Sequence, residues 1–96
     1  MLESKFQSKL ISELSLIFPE CIIIKNDPTY IQGFPDLTVF YKDKWAWLEC
    51  KRSEFAEHEP NQDYYISLGN EMSFARFIYP ENKEEVLNEL QQAFQS

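Results

Sequence analysis

Leu37-Thr38-Val39-Phe40-Tyr41, Lys42-Asp43-Lys44 and Trp45-Ala46-Trp47-Leu48-Glu49-Cys50 follow one another without interruption. β-Branched and aromatic residues dominate both flanks, and such side chains fit a pleated sheet. The three polar residues between them suit a tight turn, so the stretch predicts a β-hairpin. Side chains alternate along a strand, which sets Glu49 on one face with Trp45, Trp47 and Lys51 and turns Cys50 to the other. The two tryptophans are expected in the core under the first helix. Cys50 is expected to be a small buried apolar residue.

Upstream, Asn26-Asp27-Pro28 through Gly33 reads as a loop, with Pro28, Gly33 and Pro35 as punctuation. Before it, Cys21-Ile22-Ile23-Ile24 is a β-branched run expected to form a buried strand. Leu2 to Phe18 reads as an amphipathic helix, because Leu2, Phe6, Leu10, Leu14 and Ile17 recur at steps of four and three. Pro19 stops it. Downstream, Ser53 to Glu59 is polar and irregular. Pro60 suits a first helical position and opens a helix to about Leu68, which Gly69-Asn70 ends. Phe74-Ala75-Arg76-Phe77-Ile78 predicts a fourth strand. Glu81 to Phe94 predicts a last helix with Val86, Leu87, Leu90 and Phe94 on one side. The order is α-β-β-β-α-β-α. Its strand–helix–strand crossover implies an α/β domain with a mixed sheet of about four strands flanked by helices. One domain over residues 1–96 is the expectation for this length.

Composition narrows the function classes. The chain has 9 Lys+Arg against 16 Asp+Glu, a formal net charge of −7. That balance excludes coating DNA by bulk charge, since non-specific affinity comes from Lys and Arg on phosphates. It leaves room for a metal-dependent enzyme, whose carboxylates a cation neutralises. No run approaches the roughly 20 apolar residues of a membrane helix. The start, MLESKFQSKL, lacks the basic and apolar regions of a signal peptide. With Cys21 and Cys50 as the only cysteines, a disulfide scaffold is excluded and a reducing, cytoplasmic setting is expected. His58 is the single histidine, in an acidic loop, and a surface position without metal is expected.

The chemistry sits at one end of the hairpin. Pairing the two strands brings Asp36 and Glu49 to the same end, with Lys51 beside Glu49. Adjacent carboxylates repel one another, and a bound divalent cation relieves the repulsion. Mg²⁺ takes oxygen ligands and often uses one or two carboxylates together with substrate phosphate. Such a metal polarises a phosphodiester and activates water. A lysine positions the water or stabilises charge on the phosphate. Each piece also has an ordinary reading: an Asp after Pro as a turn residue, and Glu-x-Lys as a solvated ion pair. Glu3 lies within the apolar stripe of the first helix. It either favours the positive helix end and frays into water or reaches a polar pocket at the sheet rim. Gln62, in the first turn after Pro60, is either exposed and silent or bonded to a phosphate or to Lys51.

Gly33-Phe34-Pro35-Asp36-Leu37, Trp47-Leu48-Glu49-Cys50-Lys51 and Pro60-Asn61-Gln62, followed by Tyr64-Tyr65-Ile66, together resemble the PD-(D/E)XK nuclease superfamily. The likeness is to its VRR-NUC branch, related to Holliday-junction resolvases. That branch shows a Glu on the first helix, Gly-x-Pro-Asp, Glu-x-Lys and a downstream Gln, which fall here on Glu3, Gly33 with Pro35-Asp36, Glu49 with Lys51, and Gln62. The resemblance implies a restriction-endonuclease-like fold and a Mg²⁺- or Mn²⁺-dependent endonuclease acting on branched or structured DNA. It implies Asp36, Glu49 and the Cys50 carbonyl as metal ligands and Lys51 acting on water or phosphate. Glu3 would support the metal, with Glu13 as a competing position, and Gln62 would sit in the same pocket. It also implies a homodimer and, since small members are often phage-encoded, a host-cell cytoplasm. Lys5, Lys9, Lys25, Lys42, Lys44, Arg52 and Arg76 are the candidate phosphate contacts. Tyr64, Tyr65 and Tyr79 read as core or interface packing rather than base stacking. The alternative is a catalytically silent module: a DNA-structure binder, or an acidic inhibitor that mimics DNA.

Overall fold

A computed structural model describes residues 2–96. Seven elements follow in the expected order: α1 (Glu3–Ile17), β1 (Ile22–Lys25), β2 (Leu37–Tyr41), β3 (Lys44–Cys50), α2 (Gln62–Met72), β4 (Ala75–Ile78) and α3 (Lys83–Gln95). The strands form one sheet in the order β1-β2-β3-β4. The first two pairings are antiparallel and the β3–β4 pairing is parallel. It is the small mixed α/β sheet that the crossover implied. Tyr41 pairs with Lys44, so the hairpin loop is only Lys42-Asp43. Lys42 takes the left-handed backbone (φ 58°) that so short a loop demands.

Alternation decides what covers the sheet. Leu37, Val39, Ala46, Leu48 and Cys50 are fully buried in one core with Phe6, Leu10 and Leu14 of α1 and Val86, Leu87, Leu90 and Phe94 of α3. Two helices therefore lie on the Cys50 face. Each large apolar side chain sealed there contributes about 1.5–3 kcal/mol. Glu13 and Lys83 tie the two helices with a 2.8 Å ion pair.

Trp45 and Trp47 face away from α1, contrary to expectation. Both faces of β3 are covered, and the Trp face belongs to α2. A Cβ on Gly69 would stand 2.6 Å from the Trp47 ring and 2.7 Å from the Ala75 Cβ. Gly69 thus does not end α2, which runs on to Met72. It lets the helix lie close against the sheet. Pro60 stands outside α2, whose cap is Asn61 in the left-handed conformation (φ 72°). The Ile22-Ile23-Ile24 run is an edge strand, with Ile22 and Ile24 largely exposed. Among the described residues no helix is long and apolar enough to cross a membrane.

Candidate active site

The ladder pairs Leu37 with Leu48, so one step further sets Asp36 opposite Glu49. The backbone then locks both carboxylates. Asp36 Oδ2 accepts the Cys50 N–H at 2.9 Å, and the Asp36 N–H donates to Glu49 Oε1 at 3.2 Å. Glu49 Oε2 accepts from Gln62 Nε2 at 3.0 Å. Gln62 Oε1 accepts the Lys51 ammonium at 2.7 Å and the Glu59 N–H at 2.8 Å. Lys51 Nζ also donates to the Glu57 carbonyl at 2.9 Å. Asp36, Glu49, Gln62 and Lys51 are therefore links of one hydrogen-bonded chain. Glu49, Lys51 and Gln62 are buried, and Asp36 is half-buried. Lys51 has three N–H donors and spends two within the chain, leaving one for a ligand.

Glu3 completes the cluster from the first turn of α1. The stripe of Phe6, Leu10 and Leu14 presses α1 onto the sheet, and one turn earlier Glu3 overhangs the sheet end. One carboxylate oxygen from each of Glu3, Asp36 and Glu49 lies within 4.8 Å of the others. Octahedral Mg²⁺ ligands at about 2.1 Å stand about 3–4 Å apart, so small side-chain movements fit the three to one cation. The hard, all-oxygen donor set suits Mg²⁺ or Mn²⁺. The Cys50 carbonyl belongs to the same strand end, and the Cys50 N–H already anchors Asp36. A cavity of about 560 Å³ opens over Glu3, Asp36, Glu49, Lys51, Arg52 and Gln62.

Electrostatics carry the mark of this crowding. Burial first, then the neighbouring Asp36 charge, pushes the Glu49 carboxyl up to about 8, partly offset by Lys51. Glu3 is also raised, by desolvation of its carboxyl and then by Asp36, with Lys51 and Arg52 opposing. Burial pushes the Cys50 thiol far up, which makes it inert.

Other expected positions fall elsewhere. Glu13 pairs with Lys83 and is absent from the cavity lining. Lys42 and Lys44 lie at the turn, the opposite end of β2 and β3 from Asp36 and Glu49. Arg76 bonds Glu89 at 3.2 Å. Lys5, Lys9 and Lys25 are exposed, and of the seven cations Arg52 alone lines the carboxylate cavity. His58 bonds Asp63 and stacks on Phe77 with ring centroids 4.0 Å apart.

Two further residues position the site: Asn26, which gave little signal in the sequence, and Gly33, whose place in the loop the sequence marked. Asn26 donates from Nδ2 to the Pro35 carbonyl at 2.9 Å and to Thr38 Oγ1 at 3.0 Å, and its N–H reaches the Asp36 carbonyl at 2.8 Å. It clamps the backbone on both sides of Asp36, yet it reads as an ordinary loop Asn. Gly33 (φ 82°) presses the same loop onto the head of α2, where a Cβ would collide with the Pro60 carbonyl and the Asn61 side chain. Comparison with protein-family models, curated proteins and solved structures finds no match to this chain.

Proposed function

We propose that this protein is a metal-dependent DNA endonuclease of the PD-(D/E)XK type, similar to its VRR-NUC branch, that cuts branched or otherwise structured DNA with Mg²⁺ or Mn²⁺. The observation that carries the reading is the convergence of Glu3, Asp36 and Glu49 beside the Lys51 ammonium in an open cavity. Asp36, Glu49 and Glu3 would hold the cation, with the Cys50 carbonyl as a further donor. When bound, the metal supplies positive charge to a phosphate oxygen and acidifies a water. Lys51, held by Gln62 and the Glu57 carbonyl, offers its remaining proton to the attacking water or to phosphate charge. Gln62 keeps Lys51 and Glu49 in register, and Arg52 at the mouth suits a phosphate. A homodimer would present two such sites to a branched substrate. The free thiols of Cys21 and Cys50 suit a reducing host cytoplasm.

The −7 charge and the scarcity of cations at the cavity favour a second reading, an acidic interaction module that mimics DNA. One experiment separates them. The protein is incubated with four-way junction, flap, single-stranded and duplex DNA, with and without Mg²⁺ or Mn²⁺. Under the nuclease reading, cutting requires metal and disappears in Asp36→Ala, Glu49→Ala and Lys51→Ala proteins that remain folded. Full activity in Lys51→Ala would remove that residue's role. No cutting of any substrate, with no Mn²⁺ binding at the carboxylates, would leave the acidic module.

A further inference from the structure

A second feature adjoins the carboxylates. Tyr30, Ile31 and Phe34, with Asp27 at the side, line a notch of about 300 Å³ in the β1–β2 loop. Phe34 also lines a cavity of about 250 Å³ that continues past Gly33 to Asp36, Glu49 and Gln62. The notch and the carboxylates are thus joined through one aromatic ring.

We propose that this notch seats an unpaired base of a nucleic-acid strand whose backbone passes the carboxylates. The inference rests on the nuclease reading and narrows its substrate to one with unpaired bases. The chemistry of the walls supports it. Tyr30 is 84% exposed, an aromatic face left to water. Phe34 is a fixed floor, packed edge-on against Trp47 at 4.9 Å and Tyr65 at 5.3 Å. Asp27 is engaged locally, accepting from the Thr29 N–H at 2.9 Å and its hydroxyl at 2.7 Å. Both bonds use Oδ1, so Asp27 keeps an anionic Oδ2 at the rim, and the flat apolar surface to which any base can stack comes from Tyr30, Ile31 and Phe34.

Charge gives the second argument. Across the notch, the connecting cavity and the carboxylate cavity, the cationic side chains in the lining among the described residues are Lys51, spent largely on Gln62 and Glu57, and Arg52. Phosphate-driven affinity grows with the number of Lys and Arg contacts. A surface this poor in cations holds an intact duplex weakly, because duplex bases are shielded by their own stack. Unpaired bases offer an attraction that needs no cation.

The test reads stacking rather than cutting. A single-stranded DNA oligonucleotide carrying 2-aminopurine is titrated with the protein in EDTA, beside the same strand in a duplex and as RNA. Quenching on binding is expected, with duplex held at least tenfold more weakly. Tyr30→Ala should weaken single-strand binding by roughly tenfold, as loss of one stacked base does, and Tyr30→Trp should restore it. Mn²⁺ affinity and thermal stability should be unchanged in both variants, since Tyr30 is exposed and touches no carboxylate ligand. Tighter binding of the DNA or the RNA strand assigns the backbone, and a Tyr30 requirement in either supports the notch. Tyr30→Ala with unaltered affinity and quenching would overturn it, as would duplex binding equal to single-strand binding. Metal-dependent cutting without Tyr30 dependence refutes the notch alone. Tyr30-dependent stacking without any cutting refutes the nuclease reading alone.

Discussion

Replacing Glu49 with Gln should give a metal-free protein whose stability hardly changes from pH 5 to pH 8, while the parent loses stability over the same range. The reason is the position of Glu49 against Asp36. Its carboxyl is raised from an ordinary 4.5 to about 8 in the folded protein, chiefly by burial and next by Asp36. Between those two values the folded chain keeps a proton that the unfolded chain has released. Stability from this group is fully present below about pH 4.5 and is lost as pH rises towards 8. One pKa unit corresponds to about 1.4 kcal/mol, so the whole window is worth on the order of 5 kcal/mol. The local slope approaches 1.4 kcal/mol per pH unit, or roughly 5–10 °C in Tm per pH unit for a domain of this size.

The glutamine of the Glu49→Gln variant would act as a permanently protonated Glu49. Its carbonyl can accept from Gln62 Nε2 while its amide faces the Asp36 carboxylate, so the buried repulsion disappears at the cost of the bond that Glu49 Oε1 accepts from the Asp36 N–H. The assay is thermal or urea unfolding in EDTA from pH 5 to 8.5. The parent curve should fall with pH, and the Glu49→Gln curve should be nearly flat. Saturating Mn²⁺ should reverse the parent's fall, because the cation binds the ionised form and stabilises in proportion to ln(1 + [L]/Kd). It should do little for the variant. Equal slopes in parent and variant, or a metal-free parent that gains stability from pH 5 to 8, would refute the reasoning.

Other substitutions probe the frame around that pair. Glu3→Gln should weaken Mn²⁺ binding measured by calorimetry without lowering the metal-free Tm, because Glu3 is exposed, is crowded by Asp36 and makes no side-chain hydrogen bond among the described residues. Glu13→Gln should do the opposite, costing up to about 1 kcal/mol in urea unfolding through the lost Lys83 pair and sparing Mn²⁺ binding. Gly69→Ala should destabilise despite the roughly 1 kcal/mol helix-propensity gain, since its methyl meets Trp47 and Ala75; higher urea resistance would contradict that packing. Asn26→Ala removes the clamp around Asp36 and should cost about 1–3 kcal/mol and lower Mn²⁺ affinity, with normal affinity counting against a positioning role.

The sequence made the centre of the site readable because its logic is local. Glu49 and Lys51 share a face by strand alternation, and any tight hairpin here brings Asp36 to the same end as Glu49; the structure adds that the loop has two residues, which sets the two directly opposite. Glu3 was readable because it extends the stripe of Phe6, Leu10 and Leu14. What misled were features whose meaning depends on a distant partner. Trp45 and Trp47 are apolar and central, but alternation does not say which helix takes which face. Gly69 looks like a helix end until the Trp47 ring beneath it is known. Ile22-Ile23-Ile24 has the composition of a buried strand, and only strand order puts it at the edge. Asn26 gave no signal, because its three bonds run to residues nine to twelve positions away.

The pair of Asp36 and Glu49 is difficult to justify as architecture. Two carboxylates side by side in a half-closed cavity give up stability across neutral pH, and a single Glu49→Gln change would remove that pH dependence. The Asp36 N–H and the Lys51 charge relieve the crowding only in part. The Cys50 and Asp36 N–H groups and the Gln62 amide fix the two carboxylates where they repel, and Lys51 is held beside them by Gln62 and Glu57 rather than by a carboxylate. A scaffold built for stability would separate these charges or pair Lys51 directly with one of them. A scaffold built to receive a cation would hold the acids close, fix them with backbone donors, and keep the lysine proton free for what comes next. The arrangement follows the second pattern at each of these points, and that is the physical ground for reading a site into a fold that burial alone would have arranged differently.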